Sequence, residues 1–448
     1  MYTFLKKKLQ NLTNDKKFSE ILTGSSWAFS GRVVATGLGI VSSIIIARVY
    51  GAEAMGIVAV INSFMLMATI FTVLGTSTSV LRMIPEHLAK YSPTSAFKLY
   101  RKTQYLVIGA SLVTGTLFFL CANLIADKIF NKPHLAFYLA IASVFVVFKS
   151  LMLLNTQAVR GLRLIRVFAL MQFLPQGFML ILLILLGLLW SARDVPVYAM
   201  LGSFALTGIM GWVIMEYAFK QRIEPQDTVE QMPARTILSI SLPMLVTATI
   251  NLVLGQTGVI MLGMFRSEAE VGYYAIAVKL ATLTSFILSA INSMAAPKFS
   301  ELFHSGKIDE LFYVAKKSSK LIFWTTTPIL IGFAFLGKPL LGIAFGRQFE
   351  VAYTALVLMA LGQFVHSISG ATGMFMNMTG RQKEFRNIIL VSAVINILLN
   401  VLLVPSYGIS GAAIAGMISL SFWNITTLRY IKLKYGRTTG YFPMLAWL

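Results

Sequence analysis

Three basic side chains interrupt apolar stretches in which charge is costly. Arg32 falls within residues 26–49, Lys149 within 135–158 and Lys279 within 271–296. A cation at mid-bilayer costs roughly 2.5–3.5 kcal/mol on insertion scales, so it is kept where it meets water, a partner or a ligand. No carboxylate lies deep in the same stretches, and three such cations predict a cavity that binds an anion. The planar fork of Arg can bond two oxygens of an anion at once, whereas Lys acts as a point charge. Lys149 lies toward one end of its stretch, so it either lines that cavity or snorkels to the interface. At similar depths stand Asn62, Asn155, Gln157, Asn251, Gln256, Asn292, Gln363 and His366. Such groups either contact a polar ligand in the cavity or bond neighbouring helices.

Other chemistries find no residues to run them. The four histidines (His87, His134, His304, His366) are far apart, and no zinc-protease helix or phosphate-loop pattern occurs. The single Cys121 excludes an intramolecular disulfide. No catalytic set, metal site or cofactor site is expected. All 17 Asp and Glu fall in connections or near the ends of apolar stretches, Glu216 being the deepest. A proton- or sodium-coupled exporter of cationic drugs needs an acid inside the membrane, and this chain offers cations there. A membrane glycan polymerase or ligase would need a large outer loop, and the outer connections are short.

The elements that must position these side chains are transmembrane helices. The chain has 448 residues, 57% hydrophobic and 12% charged, with mean hydropathy +0.75. A soluble domain carries about 25% charged residues. Apolar runs long enough to cross a bilayer recur at 24–49, 54–83, 103–126, 134–158, 167–190, 196–219, 236–264, 271–296, 318–337, 351–376, 386–404 and 410–431. With these twelve spans, 28 of the 38 Lys and Arg fall on one side, 7 on the other and 3 inside. That asymmetry predicts an inner, cytoplasmic side carrying both termini. It also explains the net charge of +21 without invoking nucleic acid, since the basic residues are scattered among short loops.

The expected architecture is an all-α integral membrane protein, twelve helices in two six-helix bundles around a central cavity. A basic segment at 1–23 lies on the inner leaflet or in solvent. The bundles run over 24–219 and 236–434, joined by a polar linker at 220–235, and the chain closes with a cytoplasmic tail at 435–448. The two halves carry related turns. Residues 47–56 read Ala-Arg-Val-Tyr-Gly-Ala-Glu-Ala-Met-Gly and residues 263–272 read Gly-Met-Phe-Arg-Ser-Glu-Ala-Glu-Val-Gly. Residues 396–416 predict a helix ended by Pro405, a tight turn at Gly408 and a small-residue face on the next helix.

Three motifs are family-specific: Asn396-x-x-x-Asn400 followed by Pro405-x-x-Gly408-Ile-x-Gly411-Ala-Ala, the turn at 47–56, and Thr379-Gly-Arg-Gln-Lys383. In these the chain resembles the polysaccharide flippases of the multidrug/oligosaccharidyl-lipid/polysaccharide (MOP) superfamily, including those of O-antigen and lipopolysaccharide biosynthesis. The resemblance implies an undecaprenyl-diphosphate-linked oligosaccharide as cargo, flipped from the inner to the outer leaflet of the bacterial inner membrane. It also implies partners: the lipid-linked oligosaccharide, membrane lipids and a glycan polymerase. Relatives with a cationic cavity place a base in the first span, which matches Arg32. A multidrug exporter of the same superfamily is the alternative reading.

Overall fold

The computed structural model describes residues 16–190, 192–223 and 232–443. The expected segment at 1–23 therefore lies mostly outside the described residues, as do 224–231 of the expected linker and the last five residues of the tail. The described residues are almost wholly helical. In chain order the main helices are α1 (Lys16–Ile45), α2 (Gly51–Val73), α3 (Thr76–Lys90), α4 (Pro93–Leu120), α5 (Leu135–Gly161), α6 (Ile165–Leu189) and α7 (Val195–Lys220). They continue as α8 (Ala234–Phe265), α9 (Glu268–Ala281), α10 (Ser285–His304), α11 (Ile308–Phe345), α12 (Tyr353–Ser369), α13 (Thr372–Met378) and α14 (Gln382–Tyr435).

Ten apolar stretches among the described residues are long enough to cross a membrane, with a shorter one at Ala234–Val246. Hydrophobic sequence of this length must be helical in lipid, because only a helix satisfies every backbone group within its own segment. The two longest stretches, Ser26–Val73 and Gln382–Tyr435, are each interrupted once. Gly51 sits at φ 85°, after a π turn over Ile46–Tyr50. Gly408 sits at φ 51°, ψ −127°, and divides α14 into two arms.

The helices gather into two compact units. One takes the chain up to Ser42 together with Ala68–Phe119 and Ile141–Leu245; the other takes Ser43–Met67, Leu120–Ala140 and the chain from Val246 on. The first unit has a core of Met83, Ile84, Tyr100, Leu154, Met215 and Phe219, with the Tyr100 and Phe219 rings 5.8 Å apart. The second is centred on Phe299, Phe312, Phe375 and Ile431.

The motif around Gly408 is a helical hairpin. Ser392 Oγ on the first arm donates to the Ser419 carbonyl on the second at 2.7 Å, and Asn396 Nδ2 donates to Ser419 Oγ at 2.7 Å. Gly411 lies against the Leu403 carbonyl, where a methyl group would stand 2.5 Å from the oxygen. At Gly408 a methyl would meet a Glu270 carboxylate oxygen at 2.6 Å, in a backbone region that L-residues avoid. Gly408→Ala is therefore expected to cost about 1–3 kcal/mol. Thermal unfolding in detergent should show it as a lower midpoint, and an unchanged midpoint would contradict the hairpin geometry.

Candidate functional site

One concavity lies wholly within the second unit. It is a cavity of about 640 Å³, walled by α8, α9, α12 and both arms of α14. Asn251 enters from α8, Gln363 from α12, and Gln382, Arg386, Asn396 and Ser419 from α14. Phe385 and Trp423 add aromatic surface, their centroids 5.9 Å apart and edge-on. Arg386 is the one charged side chain among the described lining residues. The chamber is thus an apolar shell carrying amides, hydroxyls, a guanidinium and an indole. It offers hydrogen bonds along its walls and a flat apolar face, with positive charge and no carboxylate.

Local sequence explains how these groups come together. Gln382, Arg386, Ile389 and Asn396 recur at three, four and seven residues, so they share one face of the first arm of α14. Met417, Leu420 and Trp423 do the same on the second arm. The Gly408 turn brings the two faces side by side.

Two of the predicted polar residues, Asn251 and Gln363, line this cavity, and Gln363 Oε1 accepts from Ser285 Oγ at 3.4 Å. His366 stands behind the wall, with its ring 5.2 Å from that of Trp423. Gln256 does not line it; its Oε1 accepts from Ser63 Oγ at 2.8 Å. Asn62 is half-buried on α2. Asn155 is fully buried in the first unit, where it accepts from Tyr100 Oη at 2.9 Å and donates to the Gly208 carbonyl at 3.3 Å. Those bonds tie α5 to α4 and α7, a structural use of the amide.

The three cations have different surroundings. Lys279 lies in the last turn of α9, whose Val278 and Ala281 line the cavity, and its Nζ donates to the buried Ser43 Oγ at 2.6 Å. Lys149 is buried in the first unit, with Nζ 3.5 Å from the centroid of Phe204. This cation–π contact holds the ammonium inside the bundle. Arg32 is exposed on α1, beside Gly31, which packs against Ala169 of α6. The deepest expected acid, Glu216, pairs with Arg101 at 2.9 Å and accepts from Trp212.

Arg386, Asn396 and Trp423 were not singled out as site residues by the sequence. Arg386 reads as one more basic residue of an inner connection and Asn396 as part of a packing motif. The available signal was the spacing of Gln382, Arg386 and Asn396 along one helical face.

A second feature of this unit is the meeting of the two related turns. Gly56 on α2 abuts Glu268, where a methyl group would stand 1.8 Å from the carbonyl oxygen. Gly272 on α9 abuts Ala52, with the corresponding distance 2.3 Å. In the repeat, Ala52 corresponds to Glu268 and Gly56 to Gly272, so each half contributes the same position to the same contact. Cations cap the helix ends around it. Arg266 donates from Nε to the Val404 carbonyl at 3.2 Å, and Arg48 donates to the carbonyls of Ile343 and Ala344. Glu268 receives Lys132 at 3.3 Å and His134 at 2.9 Å.

These features define a helical membrane protein with the fold of the MOP-superfamily transporters. The solved structure of the lipid II flippase MurJ in its inward closed conformation matches with a TM-score of 0.72 at 16% identity, over 92% of this chain and 87% of that one. The family model described as "Polysaccharide biosynthesis protein" matches residues 45–354, and the chain belongs to that family. Two proteins of Haloferax volcanii are similar in sequence. The "Probable low-salt glycan biosynthesis flippase Agl15" is 27% identical over 177 residues, 39% of this chain and 37% of that protein. The "Probable flippase AglR" is 26% identical over 173 residues, 38% and 36% of the two chains. The matched region thus spans little more than a third of either relative.

Proposed function

We propose that this protein is a transporter that moves a lipid-linked oligosaccharide from the inner to the outer leaflet of the cytoplasmic membrane by alternating access. The observation that carries this reading is the chamber inside the second unit. A membrane-embedded cavity lined by amides, a guanidinium and an indole suits a hydroxyl-rich, anionic headgroup and does not suit an apolar cation. Membership of a polysaccharide biosynthesis family and similarity to two proteins named as probable flippases, one of them of glycan biosynthesis, support the same reading.

The cargo is an undecaprenyl-diphosphate-linked glycan, such as one destined for O-antigen, which a polymerase would then extend. The glycan occupies the chamber against Trp423. The diphosphate meets basic side chains: Lys279 lies beside the chamber, and Arg32 and Lys149 are the candidate phosphate-binding cations of the first unit. The prenyl chain stays in the bilayer. With Gly51 and Gly408 each separating two crossings, the apolar stretches amount to twelve spans with both termini cytoplasmic. The halves are 24–219 and 236–434, joined at 220–235. Residues 43–67 and 120–140 belong to the first half in sequence and pack with residues of the second, so outward opening requires them to part at the Gly56–Gly272 contact.

Cells lacking the protein should accumulate lipid-linked oligosaccharide on the inner leaflet. The wild-type chain should clear it, while Trp423→Ala should slow clearance by about tenfold, the scale of a buried aromatic contact. No accumulation in the deletion strain would overturn the function. Full clearance by the variant would remove the chamber from the path.

A further inference from the structure

We infer that a second pocket, on the first unit, is a binding site for the phosphate headgroup of an anionic phospholipid, and this inference does not depend on the transport reading. The pocket encloses about 230 Å³ and is lined by Lys98, Leu99, Arg101, Lys102 and Tyr105 of α4 together with Met232. Residues 98, 101, 102 and 105 are three, four and seven apart, so three cations and a phenol share one face of a single helix.

Two of the cations are held in place. Lys102 Nζ donates to the Met232 carbonyl at 3.0 Å, which anchors the ammonium and leaves it further donors. Arg101 is braced by Glu216 at 2.9 Å and lies 5.3 Å from the centroid of Phe97. Lys98 is exposed. Counted with Glu216, the cluster keeps two net positive charges.

The remainder of α4 selects a lipid over a soluble anion. Beyond Tyr105, itself 64% exposed, the helix presents Leu112, Val113, Leu117 and Leu120, all more than half exposed. From Lys102 to Leu120 is roughly 27 Å of helix, about the thickness of the hydrocarbon core. A basic pocket at the head of an exposed apolar stripe matches a phosphodiester with acyl chains below it, and Tyr105 sits where aromatic residues mark the interface. Basic side chains near a membrane surface attract anionic lipids, so the two net charges should favour an anionic over a zwitterionic lipid by at least about tenfold.

Native mass spectrometry of the full chain in detergent tests the assignment, with phosphatidylglycerol and phosphatidylcholine of identical acyl chains as probes. The expected result is retention of phosphatidylglycerol at least tenfold tighter than phosphatidylcholine, reduced to near parity in the Lys98→Gln, Lys102→Gln double variant. Lys98→Gln alone, a change at an exposed position, should remove part of the preference and serves if the double variant fails to fold. Equal retention of the two lipids by the wild-type chain would overturn the proposal, as would an undiminished preference in Lys98→Gln. Displacement of phosphatidylglycerol by millimolar inorganic phosphate would also overturn it, by showing that the pocket takes a soluble anion.

Discussion

Gly56→Leu is expected to open the second unit where its two related turns meet, and to abolish glycan export. The reason is steric. Even a methyl group on Gly56 would lie 1.8 Å from the Glu268 carbonyl oxygen, and that oxygen is backbone, at the first turn of α9. No rotamer relieves such a contact, so the helices must separate. Overpacking a well-packed site costs typically 1–3 kcal/mol even where side chains can yield; here the backbone must move and the cost should lie at or above that range. Val271 is fully buried beside the contact. In a Cys121→Ser background, Val271→Cys should resist maleimide in the parent chain and react at least tenfold faster once Gly56→Leu is added.

The reciprocal geometry sharpens the expectation. Gly272→Leu should have the same effect, since a methyl there would stand 2.3 Å from the Ala52 carbonyl oxygen. Gly109→Leu is the control, because that glycine has nothing within 4 Å and lies on the exposed face of α4. Unchanged labelling at position 271 in both Gly56→Leu and Gly272→Leu would refute the interlock. Increased labelling with normal export would leave the interlock in place and remove it from the transport cycle. Small residues four apart let helix backbones approach closely, and in lipid such packing replaces the hydrophobic drive that water supplies elsewhere.

That contact marks how far the sequence could be read. The turns at 47–56 and 263–272 are recognisable as a pair because the closing glycine and the apolar residue before it recur at matching positions, but nothing in either turn says that they touch. Apolar runs reveal spans because each helix must satisfy its own backbone in lipid, a condition local to the run. The Gly408 hairpin is legible for the same reason: one residue at positive φ sets it. The chamber depends on which polar residues from separate helices face one space, and that is not local. Asn155 and Asn251 look alike in sequence, each an amide inside an apolar run. One ties three helices together and the other opens onto the cavity. Trp423 is one aromatic among many until the hairpin turns it toward Phe385. Arg386 counts toward the positive-inside asymmetry and also lines the chamber, two roles that charge counting cannot separate.

Lys279→Met should leave the fold intact and remove transport, a pairing that distinguishes a ligand-binding cation from a structural one. Keeping an ammonium in an apolar span costs roughly 2.5–3.5 kcal/mol. The Ser43 hydroxyl, 2.6 Å away, recovers about 1 kcal/mol. Methionine matches the length of the lysine stem and brings no such cost. Its melting temperature in detergent should therefore equal or exceed that of the parent, while export falls by tenfold or more. Lys279→Arg should retain part of the activity, because the charge persists and a guanidinium still binds phosphate. Ser43→Ala should reduce export only a few-fold, since it removes one hydrogen-bond acceptor and leaves the cation. If instead Lys279→Met melts markedly lower and Lys279→Arg restores only the melting temperature, Lys279 is a strut between α9 and the end of α1. The anion would then have to be held by other basic residues, of which Arg386 is already in the wall of the chamber.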